Sequence, residues 1–286
     1  MKPLTCYAVA ALAVSVAIPA IQAAPSCTNG DFAGVYGMQA PGTILSAPGF
    51  PAGFLGPFNR VGRVASDGKG NISVTNTASY NGNIIVESYT GTYSIAADCT
   101  LDVVALVGIP IGPGGSLVKV PFEFRGALAD GGDSAAVLLC GVGAPCIVPT
   151  GNVIRVLLTR NGNNQRQCTN RDLSGAFQLD MSGTVVSGPL PGPFARDGRL
   201  LLDDNGSFTG TALVNYSGAS LHAETIAGSY AVDSLCNVSL TWSDGTLHTW
   251  TGTLTDKGNG ANLIVSETGV VIAGTLRQQK AGGGSN

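Results

Sequence analysis

Apolar and Thr-rich runs recur every ~10 to 15 residues along this chain, separated by clusters of Gly, Asn and Asp. Inside the runs the pattern alternates: Val118, Val120, Phe122 and Phe124 interleave with Lys119, Glu123 and Arg125. That is the period of a strand with one buried and one solvated face. No stretch beyond the first two dozen residues holds a helical period. In the first half, strands are predicted near 33–40, 58–66, 70–79, 83–96, 99–107, 118–128, 134–141 and 152–160. Tight turns punctuate them. Ser66-Asp67-Gly68-Lys69-Gly70 and Asp203-Asp204-Asn205-Gly206 carry residues that tolerate positive φ, and Asp244-Gly245 is predicted to close a two-residue hairpin.

The same pattern is written twice. Cys27-Thr28-Asn29-Gly30-Asp31-Phe32-Ala33-Gly34-Val35-Tyr36 returns as Cys168-Thr169-Asn170-Arg171-Asp172-Leu173-Ser174-Gly175-Ala176-Phe177. Gly56-Pro57-Phe58-Asn59-Arg60 returns as Gly192-Pro193-Phe194-Ala195-Arg196, and the stretch from Gly91-Thr92-Tyr93 to Cys99 returns as Gly228-Ser229-Tyr230 to Cys236. A period this long exceeds the ~20 to 50 residues of solenoid repeats, so each copy should close its own core. The expected organisation is a leader over 1–23, a first repeat over 24–160, a linker over 161–165, a second repeat over 166–280 and a tail over 281–286. The fold class expected is all-β, with two tandem antiparallel up-and-down barrels of about eight strands; a sandwich is the alternative.

In such a meander, alternate connections fall at the same rim. Three of the four at one rim of the first copy are long and apolar: Ala40 to Pro57, Gly108 to Ser116 and Gly141 to Gly151, carrying Phe50, Phe54, Leu55, Ile109, Ile111, Ile147 and Val148. The second copy has short links there. The first barrel is therefore expected to have an open, greasy mouth and the second to be closed, unless the long loops are neutral insertions.

Composition fits an exported chain. Lys2, an apolar run from Cys6 to Ile18, Pro19 and a small-residue stretch to Ala23 have the layout of a secretory signal peptide. Secreted or periplasmic localisation is expected. The formal charge of −3, which becomes −4 once Lys2 leaves with the leader, offers no electrostatic footprint for nucleic acid. Beyond the leader no stretch is apolar for long enough to span a membrane. Six cysteines remain, and the duplication pairs Cys27 with Cys99 and Cys168 with Cys236, leaving Cys140 with Cys146. Zinc is the rival reading, but no CxxC or Cys-His spacing supports it, and no metal or cofactor is expected.

Chemistry-bearing residues are few. There are two histidines, His222 and His248, both in the second copy. Matching Leu128-Ala129-Asp130 with Leu254-Thr255-Asp256 sets His248 on Phe122 and Trp250 on Phe124, facing inward, with His248 opposite Thr241. Charges recur as well: Arg60 and Arg63 return as Arg196 and Arg199, and Glu87 returns as Glu224. An Arg–Glu pair inside a barrel either sets strand register or anchors a ligand's polar group; in a catalytic reading, Glu87 is an acid or base beside Arg60. No nucleophile elbow, P-loop or HExxH motif is present. Four Asn-x-Ser sequons, at Asn71, Asn205, Asn215 and Asn237, matter only in a glycosylating host.

Cys followed by Gly-x-Tyr/Phe, a Gly-Arg strand ending in Asp and Gly, and Gly-x-Tyr before a second Cys resemble exported bacterial proteins of unknown function. They also resemble the calycin and allene oxide cyclase type of eight-stranded barrel. The lipocalin Gly-x-Trp is absent, since Gly34-Val35-Tyr36 and Gly175-Ala176-Phe177 stand in its place. The resemblance implies binding of a small apolar molecule in a lumen. The expectation is a ligand in the first barrel, against Phe50, Phe54, Leu55, Phe58, Ile109, Ile111, Phe122 and Phe124. The alternatives are a cofactor-free cyclase or isomerase using Glu87 and Arg60, and a surface protein acting through protein contacts.

Overall fold

A computed structural model describes residues 26–46, 50–110, 117–143, 146, 151–162, 167–218 and 220–279. The expected leader, most of the linker and the tail lie outside this set, as do Ile111, Ile147 and Val148. The protein is two closed antiparallel β-barrels in tandem. In the first, β1 (Gly34–Gln39) and β2 (Gly42–Ile44) share one stave, followed by β3 (Gly56–Ser66), β4 (Asn71–Tyr80), β5 (Asn83–Ile95), β6 (Thr100–Pro110), β7 (Leu117–Ala129), β8 (Ser134–Val142) and β9 (Asn152–Arg160). Pairing of β1 and β2 with both β3 and β9 closes the ring. The eight strands read from alternation are these; β2 lies inside what looked like loop. The second barrel runs β10 (Gly175–Val185), β11 (Gly192–Leu202), β12 (Ser207–Tyr216), β13 (Ser220–Val232), β14 (Asn237–Ser243), β15 (Leu247–Thr255), β16 (Gly260–Val265) and β17 (Val270–Gln278), with β10 pairing β17.

The duplicated motifs are floor-building devices. Before each first strand a short 3-10 turn pushes one apolar residue, Phe32 or Leu173, into the barrel end, where each is essentially inaccessible to solvent. The Tyr of Gly-x-Tyr ties this plug down: Tyr93 Oη donates to the Asn29 carbonyl (3.0 Å) and Tyr230 Oη to that of Asn170 (2.9 Å). Asn29 and Asn170 then accept, through Oδ1, the backbone N–H of Ile95 and Val232, each at 2.8 Å. Disulfides Cys27–Cys99 and Cys168–Cys236 staple the same end, and Cys140–Cys146 clips the opposite rim. At the turns, Asp67 Oδ1 accepts from the amides of Lys69 and Asn71, and Asp203 Oδ1 from those of Asn205 and Ser207. Those bonds identify both aspartates as hairpin residues. Hydrogen bonding by Asn71 and the local amides holds the Asp67 carboxyl down at about 2.

One turn differs from expectation. Ser243 pairs with Leu247, so Asp244, Gly245 and Thr246 make a three-residue loop. The shift sets His248 opposite Trp242, while Thr241 faces Thr249. The Asp-Gly signal located the turn, but the Asp244 carboxylate accepting the Thr246 amide (3.1 Å) draws a third residue into it.

The barrels pack side by side through β3 and β4 against β15–β17. Val61, Ile264 and Ala273 form a small apolar cluster there. Ser79 Oγ donates to the Val270 carbonyl (2.7 Å), and the Gly269 amide donates to the Gly82 carbonyl (2.9 Å). Gly82 sits at φ +83, and a Cβ added there would meet the Gly269 backbone at 2.9 Å. The contact joins the long-loop end of one barrel to the equivalent end of the other. At the opposite ends Gly162 lies against Lys257. Both mouths therefore open on the same side of the molecule.

Candidate functional site

Inward-facing positions place one Arg–Glu pair in each lumen, through the alternation that β3, β5, β11 and β13 share. In the first barrel Arg60 Nη2 lies 2.8 Å from Glu87 Oε2, with both side chains almost fully buried. Arg60 Nη2 donates to Tyr80 Oη (2.7 Å) and Nη1 to Tyr89 Oη (3.1 Å), while Tyr80 Oη donates to Glu87 Oε1 (2.6 Å). Burial works to lower the Arg60 guanidinium, but Glu87 and the two phenols outweigh it and raise it above its ordinary range. Burial pushes Tyr89 up to about 12 and raises Tyr80 well above its ordinary value, partly offset in each by Arg60. Both Arg60 and Glu87 thus face inward within hydrogen-bond reach, as the sequence suggested. Their neighbours Arg63 and Arg199 do not join them; Arg199 is exposed and bonds Gln279 outside the barrel (2.9 Å).

The expected open mouth of the first barrel is not what the structure contains. Phe50 and Phe54 fold onto Tyr80, with ring centroids 6.0 and 5.9 Å away, and Phe58 packs on it at 4.9 Å. Asn81 and Asn83 hold this lid down through the Gly53 carbonyl (3.2 and 2.9 Å). Leu55 packs against the same core; Ile109, Phe122 and Phe124 are buried within it. Among the described residues the cavity left over Arg60 is about 10 Å³, room for one water at most. The described part of the first long loop carries Phe50, Phe54 and Leu55 onto its own core, so these residues, expected with Ile109, Phe122 and Phe124 to line a ligand site, pack the lumen instead. A cyclase built on Glu87 and Arg60 has no space there for a substrate.

The roomy lumen is the second one, expected to be closed. A cavity of about 370 Å³ opens at its mouth, lined by Leu190, Phe194, Tyr216, Trp250, Val265 and Ile272 among others, with Arg196, His248 and Glu267 as its polar groups. Short loops explain it: those joining its strands at this rim, 186–191, 217–219, 244–246 and 266–269, carry no aromatic residue that could fill it. At its base Arg196 Nη2 donates to Glu224 Oε2 (2.9 Å), and the guanidinium lies over Phe194, Trp242 and Trp250 at 5.3–5.4 Å. His248 does face inward. It stacks on Trp242 (4.2 Å between centroids, 26° between planes) and sits between two carboxylates, Nδ1 3.1 Å from Glu267 and Nε2 3.2 Å from Asp244. Glu267 is itself fixed by the Thr249 amide (3.1 Å). The Thr246 amide, and then His248, holds the Asp244 carboxyl below its usual range. Burial raises the Tyr216 phenol. Leu190, Tyr216, Trp242 and Glu267 escaped the sequence reading. The signal was available in the pairing of both tryptophans with short, unfilled loops.

A further cleft of about 430 Å³ lies between the barrels, near Val35, Arg63, Asn161 and Lys257. It flanks the linker, whose residues 163–165 are outside the described set. Among the described residues no group of three or more His, Cys, Asp or Glu is arranged to hold a metal, and no helix is long and apolar enough to cross a membrane.

No family model matches the chain, and no curated protein matches it. Among solved structures it is similar to a protein of unknown function of the DUF3598 family from Nostoc punctiforme, at 11% identity, covering 87% of this chain and 97% of that one, with a TM-score of 0.26. That likeness is too slight to carry an argument about fold or function.

Proposed function

We propose that this protein is an exported binder of a small, largely apolar molecule, and that the molecule sits in the mouth of the second barrel. One observation carries the reading: a cavity of about 370 Å³ with apolar walls and a few convergent polar groups. That size and lining are typical of small-molecule sites, which start at ~300 Å³. Calycin-like character and a cleaved leader over 1–23 are part of the same proposal. Three disulfides support it, since they persist in the oxidising surroundings of secreted or periplasmic proteins. The first barrel, filled by its own lid, then serves as scaffold.

Of the two tryptophans of the chain, Trp250 lines this cavity and Trp242 stacks on His248, which also lines it. The test uses the neutral apolar fluorophore 1-aminoanthracene, excited by energy transfer from tryptophan. Saturable binding of one probe per chain is expected, and it should fall at least tenfold in Val270→Phe, which fills the cavity from the rim. Absence of saturable binding, or binding that Val270→Phe leaves intact, overturns the proposal.

A further inference from the structure

The two copies differ around their shared Arg–Glu pair in a way that specifies what the second cavity takes. In the first barrel the guanidinium has neutral oxygen partners of its own: Arg60 Nη1 and Nη2 donate to the phenol oxygens of Tyr89 and Tyr80 as well as facing Glu87. In the second barrel Ile226 occupies the place of Tyr89, and Trp242 that of Ala105, as the matching registers Gly91–Ala105 and Gly228–Trp242 place them. Tyr216 keeps the place of Tyr80 but stacks with His222, meets Phe194 edge-on and makes no hydrogen bond to Arg196. Arg196 is left with Glu224 as its one oxygen partner among the described residues.

Ile226 offers no oxygen, the rings of Phe194, Trp242 and Trp250 around Arg196 accept a cation but offer none either, and one of them adds an unmet donor. The Trp242 indole Nε1 is buried without a hydrogen-bond partner, and so is Arg196 Nε. Arg60 Nε is unpartnered as well, so the difference between copies rests on Nη1 and the indole. Buried donors without acceptors cost stability, and a site with that deficit favours a ligand that supplies the acceptor. Charge narrows the class. Glu224 already balances Arg196, and Glu267 and Asp244 stand by His248 at the rim, so an anionic head group meets more negative than positive charge.

Resting on the reading of the second-barrel cavity as a ligand site, we infer that its ligand is an apolar molecule ending in a neutral carbonyl or hydroxyl oxygen. The oxygen bonds Arg196 in the role that Tyr89 and Tyr80 play for Arg60, and the body lies against Phe194 and Trp250. The first barrel in effect contains its own ligand.

Three probes on one frame test this in the full chain: 4-phenylcyclohexanone, phenylcyclohexane and 4-phenylcyclohexanecarboxylate, titrated by calorimetry. The ketone is expected to bind about tenfold tighter than the hydrocarbon, the yield of one hydrogen bond to a charged donor, and the carboxylate weaker than the ketone. In Arg196→Met/Glu224→Leu, which removes both charges together, the preference should vanish while hydrocarbon binding stays. The indole N–H resonances give an independent reading if that variant does not fold: the ketone should shift the Trp242 signal more than the hydrocarbon does. Equal binding of ketone and hydrocarbon overturns the head-group inference and leaves the cavity reading standing. A carboxylate that binds best overturns it too. Failure of all three to bind removes both.

Discussion

Replacing Glu87 by Gln isolates what the buried pair contributes to the first barrel. Arg60 is 4% exposed, and the substitution leaves its guanidinium in the lumen with two phenols and an amide but no countercharge. Breaking a buried pair from one side costs ~3–5 kcal/mol, mostly as the stranded charge. At ~2 kcal/mol per M urea that moves the midpoint of the first barrel down by roughly 1.5–2.5 M. Arg60→Met/Glu87→Leu removes both charges and should recover much of the loss. It still leaves the Tyr80 hydroxyl without the carboxylate it donates to at 2.6 Å, a penalty of ~1–3 kcal/mol. The assay is non-reducing urea denaturation followed by far-ultraviolet circular dichroism, which sees both barrels, beside tryptophan fluorescence, which sees only the second because both tryptophans are there. An E87Q chain within ~1 kcal/mol of wild type, or a double variant no more stable than the weaker single, refutes the assignment of a stranded charge.

Burial lifts Tyr36, Tyr89 and Tyr230 to about 12 from an ordinary value of 10. The folded chain thus holds protons that the unfolded chain releases; the resulting stability is intact below pH 10 and drains away as pH climbs toward 12. Absorbance at 295 nm should accordingly rise in step with the loss of circular dichroism over that window, and an early, separate ionisation of these phenols would contradict it. Asp67 works in the opposite direction: its carboxyl is depressed, so the turn it caps keeps its support above pH 3.8 and loses it as pH falls through about 2, which Asp67→Ala should abolish in an acid titration. Removing Cys27–Cys99 with paired serines should cost about 4 kcal/mol and removing Cys140–Cys146 about 2, following sequence separations of 72 and 6, with the order checked by melting temperature. Gly82→Val forces a side chain into the Gly269 backbone at φ +83, and should loosen the barrel junction and raise protease sensitivity there while each barrel stays folded.

The fold was legible because its signals are local. Alternation of apolar and polar positions set the strands, and the duplicated Cys, Asn and Gly-x-Tyr positions read as a shared floor because each is one contact made twice. The Arg60–Glu87 pair was legible for the same reason, as Glu224 recurs with Arg196. Which barrel is hollow was not. Loop length suggested the first, but whether Phe50 and Phe54 stand clear of a lumen or fall into it depends on Tyr80 waiting beneath and on Asn81 and Asn83 gripping Gly53, contacts that span 28 and 30 residues. The position of His248 likewise turned on one extra residue in a hairpin.

Each ring is completed by a handshake between its first and last strands, Tyr36 with Arg160 in the first barrel, across roughly 120 residues of chain. The bond between Cys27 and Cys99 ties the start of that chain to its middle, shortening the path to be closed to roughly 70 residues. Closure entropy grows only with the logarithm of length, so the saving is about half a kcal/mol in the free energy of meeting. It falls on the slowest class of event in an all-β chain, the pairing of distant strands. The disulfide is therefore also a kinetic device: a chain oxidised before its seam is sealed should refold faster than one sealed first and oxidised afterwards.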